Sequence, residues 1–294
     1  MGRPAGPRRP LAPGPGMEAS PAAGTFRTGR PQGCLSTARH RWAALARKNR
    51  NMSSTYFISD LHLAPDLPRV TASFLALLEK IRGADALYVL GDLFEAWVGD
   101  DHRDEYNNRV IDAFRALADS GTRLYFVHGN RDFLLGDGFA AATGGQLLPD
   151  SRAVDVYGQT VLVMHGDQLC TLDEKYMAFR AQSRDPAWQA NLLANPLEQR
   201  LMIAQMWRMQ SKANSANKPE NIMDVTPAEV ERVLRESGAG ILLHGHTHRP
   251  QAHDLTLQGH PARRLVLGDW REDAGEAVIG VADASGLRLE TWRF

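Results

Sequence analysis

Five short segments of the chain carry Asp, Asn or His, in four of them next to glycine, a combination suited to binding metal ions. In Asp60-Leu61-His62 the two polar residues are two apart, so both would point to one side of an extended strand. Each segment alone is weak evidence, because Gly-Asp pairs and single histidines are common in turns. Together they predict one metal centre. The other four are Gly91-Asp92, Gly129-Asn130, His165-Gly166 and Gly245-His246-Thr247-His248.

The ligand types narrow the metal and the reaction. Carboxylate, amide and imidazole donors without a thiolate suit Mn²⁺, Fe²⁺, Co²⁺ or Zn²⁺, and they do not suit copper(I) or an iron–sulfur cluster. There are too many donors for one ion, and one carboxylate can bridge two. Two ions about 3.5–4 Å apart activate water and stabilise charge on phosphoryl oxygens. The segments therefore predict a hydrolase that cleaves a phosphorus–oxygen bond.

The elements that must position these residues are short apolar strands separated by amphipathic helices. Such alternation predicts a largely buried sheet with helices packed on it, and sites in open α/β sheets form where strands end. The predicted helices are Ala72–Ile81 and Asn108–Ser120. The predicted strands are Thr55–Ser59, Ala86–Leu90, Arg123–Val127, Ala153–Val156, Thr160–Met164, Gly240–Leu243, Arg264–Leu267, Ala277–Ala282 and Leu287–Trp292.

A region of different composition, about 172–238, separates two of the strands. It combines Trp188, Trp207 and several methionines with many Leu, Ala, Arg and Gln residues, and it reads as an inserted group of helices. Its apolar residues have two interpretations. They are either the core of a small helical cap or the lining of a chamber for an apolar ligand.

The composition excludes some function classes. Of the 34 basic and 34 acidic residues in the 294-residue chain, ten basic and one acidic precede residue 52, which leaves 24 basic and 33 acidic. This acidic body argues against a nucleic-acid-binding protein. The sequence also has no apolar run of about 18 residues, the length needed to span a bilayer.

Residues 1–51 are rich in Pro, Gly, Ala and Arg and lack any sustained periodicity. Such a segment is expected to be disordered, or not part of the native protein. It is interpreted either as an organelle transit peptide or as an overlong gene start with Met52 as the true first residue. Residues 52–294 are expected to form the catalytic domain.

The ordered segments resemble those of the calcineurin-like metallophosphoesterases over about residues 55–270. The resemblance implies a four-layer α/β/β/α sandwich with an inserted helical cap and two Mn²⁺ ions bridged by Asp92. It also implies the ligands: Asp60, His62, Asp92 and His248 for one ion, and Asp92, Asn130, His165 and His246 for the other.

One position departs from that family. Most members have His directly after the motif Asn, whereas this chain has Arg131. Arginine does not act as an acid near neutral pH, but it holds phosphate groups bidentately. This substitution argues against a general protein phosphatase.

The longer stretches 91–101, 129–136 and 244–250 resemble one branch, the UDP-2,3-diacylglucosamine diphosphatases of lipid A biosynthesis. The resemblance implies hydrolysis of a UDP-linked diacylated sugar to UMP and the acylated sugar 1-phosphate, with Asp92 and Arg131 catalytic. Without the resemblance, Lys218 is interpreted equally well as a solvent-exposed helix residue and as a substrate contact. The implied substrate contacts are Asn130, Arg131, Asp173, Ser211, Ser215, Lys218 and His246.

An amphiphilic substrate predicts that the cap edge touches the cytoplasmic side of the bacterial inner membrane, as a peripheral membrane protein does. No nucleic-acid partner is expected. Two other hypotheses remain. One is an enzyme of the same fold acting on another substrate, such as a nucleotide phosphodiesterase or a nuclease. The second is a metal-stabilised scaffold without activity.

Overall fold

The computed structural model describes residues 53–215 and 224–294. The predictions made for residues 1–51 and for Lys218 lie outside these ranges, and so does the side chain of Ser215.

The described residues form eleven strands and seven α-helices. The strands are β1 (Thr55–Ile58), β2 (Ala86–Leu90), β3 (Arg123–Val127), β4 (Gln146–Leu147), β5 (Ser151–Val156), β6 (Gln159–Met164), β7 (Ile241–His244), β8 (Gln251–Leu257), β9 (His260–Val266), β10 (Glu276–Asp283) and β11 (Gly286–Arg293). The helices are α1 (Pro68–Lys80), α2 (Glu105–Asp119), α3 (Asp137–Thr143), α4 (Glu174–Ser183), α5 (Pro186–Leu193), α6 (Leu197–Ser215) and α7 (Pro227–Ser237).

The strands form two sheets. The first has the order β11-β10-β1-β2-β3-β4, with β1 to β4 parallel and β10 antiparallel to β1. The second has the order β5-β6-β7-β9-β8, with a parallel centre of β6, β7 and β9 between antiparallel edges. Because β1, β2 and β3 are parallel, as are β6 and β7, the carboxyl ends of each group lie at one edge of its sheet.

Alternation along the strands builds the layers. In β6, Val161 and Val163 pack with residues of both sheets, so they belong to the core between the sheets. Their neighbours Leu162 and Met164 face the opposite side and pack with residues of α7. Helices α1, α2 and α3 pack on the outer face of the first sheet. The predicted four-layer α/β/β/α fold is therefore confirmed.

Local sequence explains where the first two helices begin. Pro68 opens α1, a position where its missing N–H has no helical partner to lose. Asp104 caps α2 by accepting a hydrogen bond from the Asn107 backbone N–H at 2.7 Å. Both helices were predicted, but with later starts, because the apolar periodicity does not reach into their polar first turns.

Three elements were not predicted from the sequence. Helix α3 has only seven residues, too few to show a helical period. Strand β4 has two residues. Strand β8 is a polar and largely exposed edge strand whose pairing with β9 supplies its hydrogen bonds. All three are stabilised by tertiary contacts more than by their own patterns.

The inserted region 172–238 contains two kinds of helix. Helix α7 packs through Val230, Val233 and Leu234 against the outer face of the second sheet and completes the fourth layer. Helices α4, α5 and α6 instead pack near the first sheet's core, where Phe179, Trp188 and the α6 residue Trp207 surround Phe133. We call α4–α6 the cap.

Candidate metal centre

The seven predicted metal ligands all follow strand ends at one edge of the two sheets. Asp60 and His62 follow β1, Asp92 follows β2, and Asn130 follows β3. His165 follows β6, and His246 and His248 follow β7. The Asp60 N–H donates to the Gly91 carbonyl at 3.1 Å, and the Gly245 N–H donates to the His165 carbonyl at 2.9 Å. These bonds tie neighbouring loops together within each sheet.

The backbone at this edge is strained. Asp60, His62, Asp92, His246 and His248 all have φ between 51° and 68°. This left-handed region is unfavourable for residues with a side chain, so five such residues in one place indicate a functional constraint. The turns aim the ligand side chains at a common point.

One group of donor atoms comes from Asp60, His62 and His248, whose ligand atoms all lie within 4.8 Å of one another. His248 Nε2 lies 3.4 Å from Asp60 Oδ1 and 3.4 Å from His62 Nε2. Asp60 is fully buried. Burial raises the pKa of Asp60, but the neighbouring histidines outweigh it and hold the pKa well below its ordinary range.

A second group consists of Asp60, Asp92 and His165. His165 Nε2 also lies 3.0 Å from Asn130 Oδ1 and 3.2 Å from His246 Nδ1, so these two predicted ligands join the group. Asp92 Oδ1 lies 3.7 Å from His165 Nε2, and its Oδ2 lies 3.9 Å from His62 Nε2. The Asp92 carboxylate thus faces both groups.

The donor set fits divalent cations. Two buried carboxylates, an amide oxygen and four imidazole nitrogens face one another across gaps of about hydrogen-bond length. Hydrogen bonds alone would leave lone pairs opposed, whereas a cation is attracted to every donor. Burial and the nearby His165 lower the pKa of His246 to about 4, so its imidazole is neutral at neutral pH, as a ligand must be.

A family model described as calcineurin-like phosphoesterase matches residues 54–250. The chain belongs to this family. The match spans β1 to the turn after His248 and therefore covers all five ligand segments of the phosphoesterase.

Curated relatives named UDP-2,3-diacylglucosamine hydrolase are similar over most of the chain. One from Chromohalobacter salexigens is 55% identical over 242 residues, 82% of this chain and 98% of the relative. One from Cellvibrio japonicus is 48% identical, covering 81% and 99%, and one from Pseudomonas aeruginosa is 49% identical, covering 80% and 97%. The resemblance to this branch of the phosphoesterases is confirmed.

Asp132 organises the ligand loops without being among the predicted ligands. Its buried carboxylate accepts hydrogen bonds from the backbone N–H groups of Gly129 at 2.7 Å, Leu93 at 2.7 Å and Asp92 at 3.3 Å. It therefore ties the loop after β2 to the loop after β3. The sequence contains a signal for it, because Asp132 follows Asn130 by two residues.

Asp167 joins the cap to the second sheet. The Tyr176 hydroxyl donates to its Oδ2 at 2.5 Å, and Arg180 Nε donates to the same atom at 2.9 Å. The Tyr176 ring stacks on His246 with 5.9 Å between ring centroids. Helix α4 thus packs Tyr176 against the predicted ligand His246, and the sequence did not single out Tyr176.

Asp269 supports His248 in a similar way. Its Oδ2 lies 3.6 Å from His248 Nδ1, on the side of the ring that faces away from Asp60. Burial lowers the pKa of His248, but Asp60 and Asp269 outweigh it and raise the pKa to about 9, so a metal ion that binds His248 would displace a proton. No sequence motif marks Asp269, because only the fold brings the loop after β9 beside β1.

A cavity of about 320 Å³ runs from the donor groups into the cap. Asn130 and Arg131 line its polar end, while Trp97, Phe179 and Trp207 line its apolar part. A volume of this size is at the low end of the range for ligand pockets, so the cavity encloses one part of a larger ligand. Trp207 does both things considered from the sequence, since it packs against Phe133 and also lines the cavity. Met202, Met206 and Met209 do neither, because their side chains are exposed.

The structure places the predicted substrate contacts as follows. Arg131 and Ser211 line the cavity. Asp173 is the N-cap residue of α4, where its side chain accepts a hydrogen bond from the Tyr176 N–H at 3.2 Å. The side chains of Ser215 and Lys218 lie outside the described residues.

Gly129→Ala tests the close packing of the ligand loops. A Cβ at this position would collide with the carboxylate and backbone nitrogen of Asp92. We expect the variant to lose most of its affinity for divalent metal ions, measured by equilibrium dialysis with Mn²⁺ as the probe. Gly240→Ala is the control, because a Cβ there would meet open space. Equal affinity in the two variants would contradict the proposed packing constraint.

Proposed function

We propose that this phosphoesterase hydrolyses the pyrophosphate bond of UDP-2,3-diacylglucosamine, releasing UMP and 2,3-diacylglucosamine 1-phosphate in a step of lipid A biosynthesis. One observation carries the proposal. The donor set opens, through Arg131, into a mainly apolar cavity beneath the cap. The names of the relatives at 48–55% identity support the same substrate.

Two Mn²⁺ ions are the proposed cofactor. Asp60, His62, Asp92 and His248 would hold one, and Asp92, Asn130, His165 and His246 the other. The Asp92 carboxylate faces both donor groups, which supports its role as the bridging carboxylate. When bound, such ions lower the pKa of water and offset negative charge on phosphoryl oxygens.

Arg131 is the proposed catalytic contact to the pyrophosphate. Its backbone N–H donates to Asp92 Oδ1 at 2.8 Å, and its carbonyl accepts from the Trp97 N–H at 3.0 Å, so its backbone is held next to the donor set. Its buried Nε has no hydrogen-bond partner within the described part of the chain. A buried, unpaired guanidinium nitrogen is unfavourable alone and suits a phosphate oxygen.

His246, Asn130, Asp173, Ser211, Ser215 and Lys218 are the remaining proposed substrate contacts. Burial keeps His246 neutral, so it can donate one hydrogen bond or ligate, but it carries no positive charge at neutral pH. The apolar walls formed by Trp97, Phe179 and Trp207 would exclude water from acyl chains. Together these residues would hold the phosphates at the donor set and the lipid part beneath the cap.

Turnover of the acylated UDP-sugar tests the proposal. We expect release of UMP with Mn²⁺, loss of release with a chelator, and loss in Asp92→Ala even with Mn²⁺, because the bridging carboxylate is gone. UMP can be measured by chromatography. A plain UDP-sugar should react more slowly, since it leaves the apolar cavity empty.

Other outcomes would identify the alternatives. Equal turnover of plain and acylated UDP-sugars would favour a nucleotide phosphodiesterase of the same fold. Full activity of metal-free Asp92→Ala would contradict the two-metal mechanism. Mn²⁺ binding without hydrolysis of either substrate would favour the scaffold.

Arg131→Lys separates charge from geometry. Lysine keeps the positive charge but cannot hold two phosphate oxygens in one plane. We expect kcat to fall by about 10²–10³-fold, the range found when one transition-state donor is removed. Mn²⁺ affinity should stay near that of the unmodified protein, because the Arg131 side chain is not a ligand. A variant with unchanged kcat would remove Arg131 from the mechanism.

Binding to the cytoplasmic surface of the inner membrane is part of the proposal. Met202, Met206 and Met209 of α6 are each about 60% exposed, and their spacing places them on one face of the helix. Such an exposed apolar stripe suits shallow insertion into a lipid surface. In the described ranges, no helix is long and apolar enough to cross a bilayer.

Replacing all three methionines by glutamine tests the membrane contact. We expect the partition coefficient onto anionic phospholipid vesicles to fall at least about tenfold, because exposed apolar area is lost from the contact face. Flotation at low salt measures it. Gln205→Ser, an exposed polar change on the same helix, is the control and should bind like the unmodified protein. Unchanged flotation of the triple variant would contradict this contact face.

A further inference from the structure

Glu95 lies beside the predicted ligand His62. Its backbone N–H donates to the Leu63 carbonyl at 3.2 Å, and Leu63 pairs with Phe94 in a short parallel bridge. These bonds hold the Glu95 backbone beside Leu63, the residue that follows His62. The position of Glu95 is therefore set by the core and not by the cap.

The Glu95 carboxylate contacts the outer nitrogen of the His62 ring. Its Oε2 lies 3.0 Å from His62 Nδ1, while His62 Nε2 faces the donor group. The angle at Nδ1 is not that of a hydrogen bond, so the contact acts through charge. A carboxylate this close to one imidazole nitrogen favours a proton on that nitrogen, which leaves the other nitrogen free to ligate. Asp269 stands in the same relation to His248, at the longer distance of 3.6 Å.

The second oxygen of the same carboxylate contacts the cap. Glu95 Oε1 lies 2.7 Å from Arg208 Nε on α6. The Glu95 side chain is only 15% exposed, so this pair is partly shielded from solvent.

A second arginine of α6 docks on the same core segment. Arg200 donates to the Val98 carbonyl and pairs with Asp101. Arg200 and Arg208 are eight residues apart, so both lie near one face of the helix. The cavity lies between this face and the core, with Trp207 and Ser211 on one side and Glu95 and Trp97 on the other.

We propose that Glu95 is a positioning residue that holds His62 for metal binding, and that Arg208 makes this hold depend on docking of cap helix α6. Movement of α6 would then be felt at the metal centre through one carboxylate. The inference rests on the proposed metal centre, and it adds a coupling between the substrate cavity and a metal ligand.

A plain surface ion pair is the competing explanation. Exposed pairs contribute little, and Arg208 is 36% exposed. In that case Arg208 would stabilise the cap slightly, and its loss would not alter metal binding. The two explanations therefore differ in metal affinity, which requires no catalytic turnover.

Mn²⁺ affinity of the metal-depleted full chain tests the coupling, with free Mn²⁺ measured by electron paramagnetic resonance. We expect Glu95→Gln to weaken binding by about 10–100-fold, the range for loss of a partner that orients a ligand. Arg208→Gln should weaken it by about 2–5-fold. The double variant should bind like Glu95→Gln, because Arg208 acts only through Glu95. Arg288→Gln, which removes surface contacts with Asp283 and Glu290, is the matched control and should not change affinity.

Three results would overturn the inference. An affinity of Glu95→Gln equal to that of the unmodified protein would remove the positioning role. Additive losses in the double variant would remove the coupling to the cap. If Glu95→Gln does not fold, Glu95→Asp replaces it, because the shorter carboxylate cannot reach both partners, and undiminished affinity would count against positioning. An unmodified chain that binds no Mn²⁺ would overturn the proposed metal centre itself.

Discussion

The crowding of buried carboxylates and imidazoles at one sheet edge is the constraint on which the rest of the structure depends. Asp60 and Asp92 are almost completely buried, and a buried carboxylate needs compensating charge or hydrogen bonds. The histidines satisfy part of this need, and divalent cations would satisfy the rest. The left-handed backbone at five ligand positions is the conformational cost of that arrangement.

The layers around this edge serve to hold it. In the first sheet, the parallel strands β1, β2 and β3 end on one side of the donor set, and in the second sheet β6 and β7 end on its other side. Backbone hydrogen bonds link the loops that follow these strands within each sheet. Asp132 adds three further hydrogen bonds between two of those loops. Backbone hydrogen bonds and the Asp132 carboxylate thus set the position of the loops, while other side chains contact the rings of the predicted ligands.

The cap contributes on two levels. Its apolar residues enclose a cavity next to the donor set, and its polar residues contact groups that orient the predicted ligands. Tyr176 stacks on His246 while bonded to Asp167, and Arg208 meets the carboxylate that contacts His62. The cap that encloses the cavity thus also contacts the donor set, which gives a physical route by which a ligand beneath the cap can influence the metal centre.

The sequence by itself predicted nine of the eleven strands in the described residues and the candidate ligands after them, because apolar strands and the Asp, Asn and His residues that follow them are local patterns. It also showed that Arg131 stands where most members of the family have His. Only the tertiary structure brings Glu95 to His62, Tyr176 to His246 and Asp269 to His248, because the two residues of each pair are distant in the chain. It also decided that α7 belongs to the outer layer while α4–α6 form the cap, because periodicity shows that a helix is amphipathic but not which surface its apolar face covers.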